Sequence, residues 1–246
     1  MSRRRGATDL AGVDPRPSVA VAIPTLDEAA TIGDLVSRCL RHVAAVYVVD
    51  GGSRDETVAL AQAAGARVIH CRSRGLGRAI RQAIDSDLAE ILVILDGDGS
   101  HHPEDIPDLL APLLLGEADL VIADRVAGGS EELDGDWGHV PRAGGTWLLQ
   151  ALMNWRLGTR LNDIQNGFRA IRNPVARDLD LREDGFCICQ EMAVRCLLRG
   201  YRVVNVPSYE TRRRHGRSRL HLWAVWPRFV WTMARWLLAR PGGARR

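Results

Sequence analysis

Ile91-Leu92-Val93-Ile94-Leu95 is an unbroken apolar run that closes on Asp96-Gly97-Asp98. A run of that length, stopped by glycine, reads as a strand buried on both faces, the strand type of a parallel sheet. Its two carboxylates then stand at the strand's C-terminal edge, where open α/β sheets bind ligands. Two acids separated by one Gly either cap a solvated turn or hold a divalent cation through oxygen. The other strand ends decide between these.

Ser18–Ile23 is the first expected strand, stopped by Pro24 and followed by Thr25-Leu26-Asp27-Glu28. A helix starts near Ala29, with Ile32, Leu35, Val36 and Leu40 on its apolar face. Val46–Val49 is a second strand ending in Asp50-Gly51-Gly52-Ser53, and Ser53 or Asp55 caps the next helix. Ala66–His70 is a third strand, Arg74-Gly75-Leu76-Gly77 leads into a helix through Ile84, and Pro103 opens another helix after the Ile91 strand. Asp119–Ala123 is the next strand, closing on Asp124-Arg125. Strands alternating with helices over short loops predict an α/β fold with a parallel or mostly parallel sheet and helices on both faces. All four polar clusters then share one sheet edge, which favours a ligand crevice over scattered loop acids.

A dinucleotide-binding domain wants G-x-G-x-x-G directly after its first strand. Here that strand ends in Pro-Thr-Leu-Asp-Glu, Gly75-Leu76-Gly77 follows the third strand without a third Gly, and no Walker A loop occurs. The crevice must accept a ligand that tolerates carboxylates, and a nucleoside diphosphate does so when a cation bridges it.

With 246 residues, 46% of them hydrophobic, the chain is long enough for one large domain or one domain with an appendage. Five scattered cysteines without a C-x-x-C pair suggest reduced thiols and no zinc knuckle. The Arg-rich N-terminus has no apolar core, so a signal peptide is not expected, and no run suits a transmembrane helix. Charge is uneven: Arg195–Arg246 holds 13 Arg against Glu210 alone, net +12, while residues 1–194 are net −9. A basic end on an acidic body suits an anionic partner, nucleic acid or anionic lipid.

The ordered set Pro24-Thr25-Leu26-Asp27-Glu28, Val48-Val49-Asp50-Gly51-Gly52-Ser53-Arg54-Asp55, Gly75-Leu76-Gly77 and Asp96-Gly97-Asp98 resembles a family 2 inverting glycosyltransferase with the GT-A fold. Asp124-Arg125, Gly128-Gly129, Trp137, Arg142, Asp163-Ile164-Gln165-Asn166-Gly167-Phe168-Arg169, Gln190-Glu191-Met192 and Arg213–Arg219 narrow the likeness to dolichol-phosphate mannose synthase and other polyprenyl-phosphate enzymes. The match runs from about residue 18 to 220. It implies catalytic roles for Asp96, Asp98, Arg125, Arg169 and Glu191. Pro24, Thr25, Asp27, Glu28, Asp50, Gly51, Arg78, Asp96 and Gly97 would hold the donor nucleotide. Arg125, Arg142, Thr146, Arg213 and Arg219 would hold the acceptor phosphate, and Asp163, Asn166, Gln190 and Glu191 would face the sugar. Asp96 and Asp98 would hold Mg²⁺ or Mn²⁺; relatives often place Gln where Ser100 stands, so Ser100 or water supplies the third ligand. For Glu191 and Gln190 the plain alternative is a helix N-terminus, and for Arg213–Arg219 a solvated basic loop.

The resemblance divides the chain into a disordered tail over 1–17, a catalytic domain over 18–212, a mobile basic acceptor loop over 213–219, and an amphipathic C-terminal helix with a basic tail over 220–246. Four of the seven Trp fall in 220–240, with Arg228, Thr232 and Arg235 on one helical face. That pattern suits a membrane interface, the alternatives being packing on the domain or a homo-oligomer contact. The expected reaction moves a hexose, mannose from GDP-mannose first, onto a polyprenyl or dolichyl phosphate. The expected place is the cytoplasmic side of the cell membrane, peripherally bound. UDP-glucose or UDP-GlcNAc is the alternative donor, because Asp50-Gly51 departs from the Asp-Asp common in mannose synthases. A soluble phosphorylated acceptor is a further alternative. The acid pair argues against a nucleic-acid module.

Overall fold

The computed structural model describes residues 17–131, 150–213, 230–232, 234 and 235. Seven strands form one sheet in the order β3-β2-β1-β4-β6-β5-β7. They are β1 Val19–Thr25, β2 Ala45–Asp50, β3 Arg67–His70, β4 Ile91–Ile94, β5 Leu120–Asp124, β6 Arg169–Arg172 and β7 Val203–Pro207. All pairings are parallel except those of β6, which runs against both β4 and β5. The helices are α1 Ala29–Cys39, α2 Thr57–Ala63, α3 Leu76–Asp85, α4 Ile106–Leu114, the single turn α5 Arg125–Gly128, α6 over 150–157, α7 Asn173–Asp178 and α8 Cys187–Leu198. A 3₁₀ turn, Pro103–Asp105, leads into α4. The expected mostly parallel α/β architecture is the one observed.

Alternation along the strands sends side chains into two cores. Ala22, Leu92, Ile94, Leu120 and Ile122 join the core under α3 and α8. Val21, Ile23, Ile91, Val93, Leu95 and Val121 join the core under α1 and α4. This two-sided burial is why the Ile91 run needs no polar residue until Asp96.

Pro24 does not stop the first strand. Ala22 turns its carbonyl to β4, accepting from Leu95 N–H at 3.3 Å, and Thr25 turns its own to β2, accepting from Gly51 N–H at 2.8 Å. By alternation Pro24 faces the β4 side, and the last β1–β4 pair is Ala22 with Ile94. The N–H that proline lacks would have had no partner there, so the strand continues.

Asp55 does the capping that the sequence left between two residues. Its Oδ1 accepts from Thr57 N–H at 3.0 Å in the first turn of α2, and its Oδ2 from Ala29 N–H at 3.2 Å at the start of α1. Ser53 instead donates to Asp50 at 2.5 Å. Among the described residues no helix is long and apolar enough to cross a membrane. Of the expected C-terminal helix only 230–232, 234 and 235 are described, as helical residues.

Candidate active site

The strand order reverses between β1 and β4, and a crevice opens at the C-terminal ends of the strands at such a switch. Thr25–Glu28 leaves one side of it and Leu95–Asp98 the other. Two bonds close the floor: Thr31 Oγ1 donates to Gly97 carbonyl at 2.6 Å, and Gly51 N–H to Thr25 carbonyl. A Cβ on Gly97 would stand 2.8 Å from the Thr25 methyl, so only glycine lets the two loops approach this closely.

At the end of β1, Asp27 adopts a left-handed φ of 54°. Its N–H donates to Ser53 Oγ at 2.9 Å and its Oδ1 accepts from Arg54 N–H at 2.7 Å, which hold that conformation. Asp50 is buried and folds back on its own loop, accepting from Gly52 and Ser53 N–H at 3.1 Å each. Asp50 thus shapes the loop that carries Gly51. Arg78 pairs with Asp184 at 2.8 Å, and Arg81 pairs with the same carboxylate at 2.6 Å. The two guanidiniums hold the Asp184 carboxyl well below the usual range. Gly77 N–H also donates to Asp184 carbonyl at 2.9 Å, and a Cβ on Gly77 would stand 2.8 Å from that carbonyl carbon. The Gly75-Leu76-Gly77 pattern therefore seats the 183–184 strap against α3.

Asp96 and Asp98 sit together at the end of β4. Burial opposes ionisation of Asp96, but His101, Arg169 and Arg125 outweigh it and keep its carboxyl below the ordinary range. His101 Nε2 lies 3.6 Å from Asp96 Oδ2, and the imidazole is buried. Its burial is likewise outweighed by that carboxylate, which raises its pKa. Ser100 donates its hydroxyl to Asp98 Oδ1 at 2.7 Å and its N–H to the same atom at 3.0 Å. Ser100 therefore orients Asp98. Among the described residues no group of three or more His, Cys, Asp or Glu could hold a metal. Two carboxylates without a third protein ligand fit Mg²⁺ or Mn²⁺, which complete their shell with phosphate oxygens and water. Arg213 stands over this pair, its guanidinium bonded to Glu28 Oε1 and 3.7 Å from Asp98 Oδ2.

At the end of β5, Asp124 Oδ1 accepts from Val126 and Ala127 N–H at 2.9 and 3.0 Å and caps α5, which fixes Arg125. Arg125 forks onto Asp163, Nε to Oδ2 at 2.6 Å and Nη2 to Oδ1 at 3.2 Å, and reaches Glu210 at 3.4 Å. Burial works against both charges, yet each partner favours the other: the Asp163 pKa falls and the Arg125 pKa rises. Glu210, which also accepts from Ser130 Oγ at 3.0 Å, had no role assigned from sequence. Its signal was there, as the only acid in an otherwise basic C-terminal fifth. Because β6 runs backward, the loop before it, Asp163–Phe168, arrives at the same edge as Asp96. Asp163 Oδ1 accepts from Asn166 N–H at 3.1 Å and Asn166 Oδ1 from Phe168 N–H at 2.9 Å, so both shape that loop.

Two residues expected to be catalytic are buried. Arg169 is fully buried at 0% exposure and donates to the carbonyls of Asn166, Cys189 and Ile164. It lies under the loop it braces. Glu191 is also buried, accepts from Arg182 and Glu183 N–H at 2.9 and 2.8 Å, and pairs with Arg195 at 2.8 Å. It holds the 182–184 strap. Gln190 beside it is fully buried, and its amide has no hydrogen-bond partner among the described residues. Arg142, Thr146, Trp137, Arg219 and the tail over 1–16 lie outside the described residues.

A mostly parallel seven-stranded sheet with paired acids on one side of its switch point and a half-buried, carboxylate-bound arginine on the other is similar to the GT-A glycosyltransferases. The chain belongs to glycosyl transferase family 2, whose family model matches residues 20–179. It is 37% identical over 197 residues to glycosyltransferase AglJ of Haloferax volcanii, covering 79% of this chain and 63% of that protein. It is 33% identical to the polyprenol monophosphomannose synthase of Mycolicibacterium smegmatis, covering 89% of this chain and 87% of the relative. Glucosyl-3-phosphoglycerate synthase from Mycobacterium tuberculosis, crystallised with Mn²⁺, UDP and phosphoglyceric acid, superposes with a TM-score of 0.72 at 24% identity. That match covers 93% of this chain and 81% of the synthase.

Proposed function

We propose that the protein transfers a hexose, mannose from GDP-mannose first, to a polyprenyl phosphate with inversion, using Mg²⁺ or Mn²⁺. In this reading it works as a peripheral enzyme on the cytoplasmic side of the cell membrane. The observation that carries it is Arg125, a half-buried cation forked onto Asp163 in the acceptor wall, suited to an acceptor that brings its own negative charge. A phosphate monoester has a second pKa near ~6, so at neutral pH it attacks without a general base. One phosphate oxygen forms the bond to the anomeric carbon as the bond to the nucleoside diphosphate breaks. Asp96 and Asp98 would hold the cation, which would supply charge neutralisation for the leaving diphosphate. Asp27, Glu28 and Gly51 orient the nucleoside, Ser100 and His101 hold the acid pair, and Arg125 exchanges part of its carboxylate contact for the acceptor phosphate. The names of relatives that act on polyprenol, dolichyl and undecaprenyl phosphates support this acceptor class.

The test is incubation with labelled GDP-mannose, UDP-glucose and UDP-GlcNAc, a divalent cation, and either a short polyprenyl phosphate or 3-phosphoglycerate. Label entering the organic phase with GDP-mannose is the expected result. Transfer only to 3-phosphoglycerate overturns the lipid acceptor, and transfer only from UDP sugars overturns the donor.

A further inference from the structure

Helix α6 buries Gln150 and Met153 on one face and half-buries Leu157. At 100° per residue these three cluster together, and Leu152, Trp155 and Arg156 cluster on the opposite face. Leu152 is 39% exposed and Trp155 81% exposed, the highest value among the large apolar side chains described. The stretch 150–162 contains Arg156 and Arg160 and no acid. An exposed Trp and Leu flanked by arginines on an outward helix face have no packing role in the core. They match the chemistry of an anionic lipid interface, where the ring sits at headgroup level and the guanidiniums meet phosphate.

The face is rigidly tied to the acceptor wall. Asn154 Oδ1 accepts from Thr159 Oγ1 at 2.8 Å and Leu161 N–H at 3.1 Å, and its Nδ2 donates to Leu161 carbonyl at 2.8 Å. Asn162 Nδ2 then donates to Asp124 Oδ2 at 2.8 Å, and Asp163 grips Arg125. We propose that the Leu152–Trp155–Arg156 face, with Arg160, is an anionic-lipid contact that sets the Arg125 end of the crevice against the bilayer. The choice of lipid over a second protein rests on the polyprenyl-phosphate reading above.

The full-length protein is sedimented with vesicles of phosphatidylcholine alone or of equal parts phosphatidylcholine and phosphatidylglycerol. Leu152→Ser with Trp155→Ala should weaken binding to the mixed vesicles about tenfold, and Trp155→Phe should restore most of it. Arg156→Glu with Arg160→Glu should cost about 25-fold on the mixed vesicles and little on phosphatidylcholine alone. Transfer to a short acceptor in solution should be unchanged in all variants, which also shows that they fold. Transfer to a long-chain acceptor in vesicles should fall with binding. Wild-type vesicle binding by both double variants overturns the proposal. So does dissociation of a dimer by the Leu152→Ser, Trp155→Ala variant with vesicle binding unaltered, since that gives the face to a second copy. Vesicle binding that responds as expected, without any lipid product, supports the contact and overturns only the acceptor reading.

Discussion

Gly167 packs directly on the Asp96 carboxylate: a Cβ at position 167 would stand 2.9 Å from Asp96 Cγ and 3.0 Å from Oδ1. The loop before β6 thus walls in one of the two acids of the candidate metal site, and the absent side chain sets where that carboxylate points.

Gly167→Ala should therefore push Asp96 out of position while leaving the sheet intact. A displacement of about 1 Å at a reacting centre costs about 100-fold, so transfer should fall by that order with an unchanged thermal melt. Near-normal turnover in Gly167→Ala would show that the Asp96 position is not set by this contact.

Arg213 places a fixed positive charge between Glu28 and Asp98 where a divalent cation would bind. Removing it as Arg213→Gln should tighten Mn²⁺ binding to the nucleotide-free protein by about fivefold, the equivalent of one partly exposed ion pair. Arg213→Lys should bind as the wild type does. The measurement is a titration of free Mn²⁺ by electron paramagnetic resonance, and equal affinities in all three proteins would remove Arg213 from the acid site.

Arg169 distinguishes a brace from a catalytic group. Truncation to Ala leaves its carbonyl partners unpaired in the core and opens a cavity, a loss of about 3 kcal/mol or more. The denaturation midpoint should fall markedly for Arg169→Ala. A variant with wild-type stability and abolished transfer would place the guanidinium on a ligand instead.

Glu104 pairs with Arg38 across α1 and the turn that leaves the Asp98 loop, at 3.0 Å from Arg38 Nε to Oε1. The Arg38 hydrogen bond lowers the Glu104 pKa to about 2. A depressed carboxyl contributes stability that is complete above its unfolded value near ~4.3 and is lost as pH falls toward the folded value. Glu104 is 48% exposed, so solvent screening limits the effect to less than about 1 kcal/mol. Wild type should exceed Glu104→Gln in urea midpoint near neutrality, and the gap should close in acid. A gap independent of pH would assign the difference to packing rather than charge.

The sequence alone determined the strand–helix alternation and the edge at which Thr25–Glu28, Asp50–Ser53, Asp96–Asp98 and Asp124-Arg125 gather. Both follow from local pattern: apolar runs make buried strands, and polar residues end them. The resemblance was enough to pick out Asp163–Arg169 and Gln190-Glu191 as belonging near the site. What each touches there came from the tertiary structure alone. Arg169 and Glu191 read as charges that could meet a ligand, yet one lies under the β6 loop and the other ties down the 182–184 strap. No periodicity encodes that, because it depends on which backbone carbonyls and N–H groups neighbouring elements leave unpaired. The backward run of β6 brings Gly167 onto Asp96, and the folding-back of the chain after β7 brings Glu210 to Arg125 and Arg213 to Asp98. These are contacts over 71, 85 and 115 positions of sequence. The last two pair charges that burial at the sheet edge would otherwise penalise.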